Sequence, residues 1–180
     1  MNSRSQPEYD SPRFAVETFL ARLWGLTLTL AEILIAIHIV GAVFWVGGNF
    51  ILNVFSWRVG KSGNQEQALW FLGLGEWVGM RVFMPLSLIV LAAGAWLVEE
   101  AGWGFDELFV QLGLVGFALT FIGGAALISP SLKKAHAAVT EHGLDSDEGK
   151  SAIKRLELIS RIDLLLLFLV VLNMVIKPGL

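Results

Sequence analysis

The stretch "LLLLFLVVL" from Leu164 to Leu172 is unbroken by any polar side chain, and three other parts of the chain carry apolar blocks like it. An α-helix of roughly 20 mostly apolar residues is what crosses a bilayer, because in hydrocarbon every backbone N–H and C=O must be satisfied within the helix itself. Candidate spans lie at about 23–55, 82–98, 108–129 and 162–177. They are blocks rather than stripes at helical spacing, so they read as lipid-surrounded segments and not as the amphipathic helices of a soluble domain. The composition agrees: 55% of residues are hydrophobic and 16% charged, against about 25% charged in soluble domains. The fold class expected is an all-α integral membrane protein with four transmembrane helices in a bundle.

The first candidate is too long to cross once upright, and its membrane part is placed nearer 32–55. Ahead of it, residues 1–12 mix both charge signs with Pro7 and Pro12 and read as a disordered tail. They lack the apolar core and small-residue cleavage site of a signal peptide. In 13–23, Phe14, Phe19, Leu20 and Leu23 recur at helical intervals beside Arg13, Glu17 and Arg22, as in a short interfacial helix or the start of the first span. Residues 13–180 then form a single membrane domain. Pro130 is expected to end the third span.

All but Arg4, Arg13, Arg22 and Lys177 of the 13 basic residues fall in 58–82 and 130–161, whereas the 99–107 connection holds only acids. Because basic loops stay in the cytoplasm, these two connections are placed there and both termini outside, in a bacterial inner membrane. A net charge of −3 argues against a nucleic-acid partner, and the absence of cysteine excludes disulfides and thiolate metal sites. The expected partners are the lipid bilayer and further copies in a homo-oligomer.

Within the first span, "HIVGAVFWVGGNF" places an imidazole in the most apolar part of the chain. Helical steps of about 100° bring Thr27, Ala31, Gly41, Trp45, Asn49 and Asn53 to within roughly 60° of His38, with Gly48 beside them. Two readings stand. The stripe is a helix-packing seam in which His38 bonds a neighbouring helix, or it is a ligand wall in which His38 is an axial ligand of haem b. On the second reading Trp45, Gly48 and Asn49 form the pocket, and Arg81 either snorkels to the cytoplasmic headgroups or meets a propionate or phosphate. His136 and His142 lie outside the spans and are six apart, the wrong spacing for a shared metal. A haem would then have an open or methionine sixth position, or lie between subunits. Met80 and Met84 share a face suited to copper(I), though no third soft ligand is near. Asp163 is expected to pair with Arg161 at the membrane interface, and "SAIKRLELISRID" to form a helix feeding the fourth span. Glycines 41, 47, 48, 94, 113, 116, 123 and 124 are expected to let helices approach closely, and Pro85 to bend the second helix.

The same segment resembles the first-helix signature of the HemJ-type protoporphyrinogen oxidases, and its "WVGG" is similar to the CopD-type copper-resistance membrane domains. "RVFMPLSLIVLAAGAWL" and the closing "LNMVIKPGL" are similar to later parts of the HemJ family, so the resemblance covers roughly 32–180. It implies His38 and Arg81 as functional residues. Gln111 stands where that family is expected to carry a third-helix lysine, and "SRIDLLLL" replaces its Asn-Glu and proline pattern. The chain therefore reads as a relative of these families with either a haem-dependent redox role or a non-enzymatic copper-handling, assembly or scaffold role.

Overall fold

In the computed structural model the described residues are 28–179; they form six α-helices and two π-helical segments, and no strand. Helix α1 spans Leu30–Ser62. It starts where Thr29 and Glu32 close a capping box: Glu32 N–H donates to Thr29 Oγ1 at 3.3 Å, and Thr29 N–H donates back to Glu32 Oε2 at 2.9 Å. Two of the helix's four unsatisfied N-terminal donors are thereby met. It ends on Gly63, at φ 64°, a left-handed conformation suited to glycine. The first span thus runs past the expected limit of 55, while the tail and the interfacial helix expected before it lie outside the described residues.

The next two rods each contain a π-helical turn. Helix α2, Gln65–Val78, passes through a π segment at Gly79–Phe83 into α3, Met84–Glu100. Helix α4, Leu108–Gly123, passes through Gly124–Ile128 into α5, Ser129–His142. Helix α6 covers Asp147–Ile176, capped by Ser146, whose side chain accepts from Gly149 N–H at 2.9 Å. The connections expected at 58–82 and 130–161 are therefore mostly helical. Pro130 does not end the third rod, either. Proline lacks the N–H that would reach the carbonyl four residues back and crowds that carbonyl. Pro85 and Pro130 each stand two residues beyond a π segment, so the wider turn absorbs the conflict and the helix continues.

The four rods have 33, 36, 35 and 30 residues. At about 1.5 Å per residue they measure roughly 45–54 Å, well beyond the roughly 30 Å of hydrocarbon. Only 11–22% of each apolar window is buried inside the bundle, so most of the apolar surface faces lipid. The overhang lies at the end holding the Ser62–Gln65 and His142–Asp147 turns, here called the basic end. The two turns are joined there by Leu144 N–H donating to Gln65 Oε1 at 3.2 Å. That end has its own core, with Leu72, Leu132, Ala135, Val139 and Leu156 buried together from α2, α5 and α6. At the opposite end Asn173 Nδ2 donates to the Phe109 carbonyl at 2.7 Å, and Lys177 Nζ lies 4.2 Å from the Trp103 ring centroid.

Inside the bilayer the helices meet through glycines. Between α1 and the second rod, a Cβ at Gly41 would lie 2.6 Å from Val90 Cγ2 on α3, and one at Gly48 would lie 2.9 Å from the ring of Phe83 on the π segment. On α4 and α6, Gly113 faces Met174 and Gly116 faces Val170. Lipid tails are as apolar as leucine, so close backbone approach and dispersion, rather than exclusion of water, hold such seams. Gly47 and Gly124 meet nothing within 4 Å and take no part in them.

Candidate functional site

His38 sits in the α1–α3 seam. Its Nδ1 lies 2.9 Å from the Val90 carbonyl oxygen. A carbonyl only accepts, so Nδ1 carries the hydrogen and donates, and in the neutral ring Nε2 keeps its lone pair. The ring rests on Gly94, where an added Cβ would come within 2.8 Å of Nδ1. Trp45 is buried one helical stripe further along, edge-on to Phe117 with centroids 5.8 Å apart.

The residues expected around a haem do not converge. The space beside Gly48 is filled by Phe83. Arg81 is exposed on the π segment, about thirteen ångströms along the rod from Val90, and makes no ion pair among the described residues. The cavity described next includes Trp45 and Asn49 but neither His38 nor Arg81.

That cavity, of about 140 Å³, opens between the four rods at the level of both π segments. The stripe found in sequence supplies Asn49 and Asn53 from α1. Asn53 Nδ2 donates to the Asn49 carbonyl at 3.0 Å and to Asn49 Oδ1 at 3.3 Å, and Asn49 Nδ2 donates to Asp163 Oδ2 on α6 at 3.3 Å. Asp163 is 7% exposed. It does not pair with Arg161, which bonds Glu157 at 3.1 Å instead. Residues two apart on a helix point to different sides, so Arg161 faces outward and Asp163 inward. That spacing, with the excess of asparagine on the first span, was the available sequence signal for this carboxyl.

Further oxygen comes from α3 and α4. Ser87 Oγ donates its hydrogen to the Met84 carbonyl at 2.8 Å, and Thr120 Oγ1 donates within its own helix to Gly116 and Phe117 at 3.1 and 3.0 Å. Both hydroxyls are buried, and both keep oxygen lone pairs for something other than their helix. Glu76 lines the cavity too and is bridged by Lys133 at 3.2 Å. No lysine, arginine or histidine lines the wall among the described residues. Met80 and Met84 do, whereas no group of three histidine, cysteine or acidic side chains suited to a metal occurs among those residues.

Four long apolar helices surrounding such a polar interior define an integral membrane protein embedded in the bilayer. The chain belongs to the family described as "Predicted integral membrane protein (DUF2269)", which matches residues 32–178. That match brings no link to the HemJ-type or CopD-type proteins. No curated protein and no solved structure matches the chain.

Proposed function

We propose that this protein is a membrane-embedded cation-binding module, with Asp163 as its charged ligand. One observation carries the reading: a carboxyl group 7% exposed faces a cavity whose wall supplies oxygens and no positive side chain. Ionisable groups at membrane depth are expensive and commonly mark ion or proton pathways. π-helical turns also cluster at functional sites, and here two of them border one cavity. Hard cations take oxygen ligands. The volume of about 140 Å³ is small beside the roughly 300–1,000 Å³ of sites for drug-sized ligands, which fits an ion with a few waters.

The test is thermal unfolding of detergent-purified protein with sodium, potassium, lithium or ammonium chloride replacing N-methylglucamine chloride at constant ionic strength. A bound cation at about 100-fold its Kd stabilises the fold by about 2.7 kcal/mol. At least one small cation is expected to raise the melting temperature, and Asp163→Asn to abolish that rise. A wild type indifferent to all four sinks the reading. Copper(I) stabilisation lost in Met80→Leu/Met84→Leu would point to the copper-handling role instead.

A second reading keeps His38 as an axial ligand of haem b with a redox role. It is favoured by the Nδ1–H bond to Val90, since such a bond orients ligating imidazoles and leaves Nε2 free. Protein expressed with haem precursor would show a Soret band that His38→Ala removes; a colourless, folded wild type rejects this reading.

A further inference from the structure

On the outside of the bundle, α1 and α6 leave a groove of about 360 Å³ lined by Phe50, Asn53, Val54, Trp57, Arg161 and Leu164. Its two halves differ in chemistry. Phe50, Val54 and Leu164 make one half apolar, and Phe50 and Val54 are exposed where the spans face lipid. The half toward the basic end carries Trp57 and Arg161. Lys61 Nζ lies 4.0 Å from the Trp57 ring centroid, which brings a second cation to the same mouth. Glu157 is the counter-charge: it accepts from Arg161 at 3.1 Å and lies 3.7 Å from where a Cβ on Gly60 would stand. Lys61 makes no ion pair among the described residues, so the mouth keeps a net positive charge.

An apolar channel that ends in cations beside an exposed tryptophan, at the level where the spans leave the hydrocarbon, matches one chemistry. Acyl chains fill the apolar half, an interfacial indole sits at headgroup depth, and lysine and arginine attract anionic headgroups. We propose that the α1–α6 groove binds an anionic phospholipid, with an acyl chain along Phe50, Val54 and Leu164 and its phosphate between Lys61 and Arg161. The groove shares Asn53 with the inner cavity, but that amide is engaged with Asn49, and the lipid site does not depend on the cation reading.

Delipidated protein in a neutral detergent would be titrated with phosphatidylglycerol and, separately, with phosphatidylcholine of the same chains. Bound lipid is counted by native mass spectrometry and stabilisation is read by thermal unfolding. Phosphatidylglycerol is expected to bind more tightly. Lys61→Gln/Arg161→Gln weakens that binding about tenfold or more and leaves the phosphatidylcholine response unchanged. Lys134→Gln/Lys154→Gln removes the same charge from exposed positions outside the groove and leaves the preference intact. Val54→Trp fills the apolar half and lowers phosphatidylglycerol binding with both cations in place. Equal response of the wild type to the two lipids overturns the proposal, as does equal weakening by the control pair.

Discussion

At the scale of single residues, the packing of His38 against Gly94 decides more than its hydrogen bond does. Interhelical hydrogen bonds in membranes average about 0.6 kcal/mol, whereas overpacking a tight contact costs about 1–3 kcal/mol. A Cβ at Gly94 would stand 2.7 Å from His38 Cε1, closer than carbon atoms tolerate, and the ring is held by the Val90 carbonyl. Gly94→Ala is therefore expected to destabilise the detergent-solubilised protein by about 1–3 kcal/mol. In a His38→Ala background most of that cost should vanish, because the two sites share one contact. Gly47→Ala, with nothing within 4 Å, should be neutral. Denaturant unfolding of the four variants measures all three claims. The stripe through Gly41, Trp45, Asn49 and Asn53 was legible in sequence because helical periodicity alone assigns a face. The partner of Asp163 was not, because a nearby opposite charge at Arg161 draws attention that helix geometry does not support. The nearest polar partner came instead from α1, over a hundred positions away in the chain.

Among the elements, the spans were legible because lipid demands long apolar blocks. Their extensions were not, because past the hydrocarbon the same rods become amphipathic and resemble connectors. The two π segments share a pattern that goes with them: "GMRVFMP" at Gly79–Pro85 and "GAALISP" at Gly124–Pro130, each a glycine six positions before a proline. A π turn holds an extra residue relative to α geometry, which gives a register test. Deleting Ala125 should let Gly124–Ile128 close as an α-helical turn, with α4 and α5 keeping their faces. Deleting Ile159 from α6, which contains no π turn to absorb the change, instead rotates everything beyond it by about 100°, turning Asp163 and Leu167 out of the bundle. The first variant should purify as a folded monodisperse species that has lost cation stabilisation, and the second should not fold. Circular dichroism and gel filtration in detergent separate these outcomes. Misfolding of both would mean that the π turn is needed for the bundle itself.

On the scale of the whole bundle, the lysines and arginines of the described residues are unevenly divided between the two ends. Arg58, Lys61, Lys133, Lys134, Lys150, Lys154 and Arg155 crowd the end where the rods overhang, and Glu99, Glu100, Asp106 and Glu107 mark the other. Acids at the first end are about as numerous, namely Glu66, Glu76, Glu141, Asp145, Asp147, Glu148 and Glu157, but exposed pairs such as Lys133–Glu76 contribute only about 0–1 kcal/mol and do not set orientation. Orientation follows the lysines and arginines near the span ends, since acidic residues count for little in that bias. The absence of cysteine makes the consequence directly measurable with single-cysteine variants and no background. Phe105→Cys, exposed in the acidic connection, should react with a membrane-impermeant maleimide on intact cells. Lys154→Cys, exposed on the basic overhang, should react only after the membrane is permeabilised. The reverse pattern would place the cationic mouth of the α1–α6 groove on the outer side. The proposed phospholipid would then have to be drawn from the outer leaflet, where the positive-inside rule does not put a basic mouth.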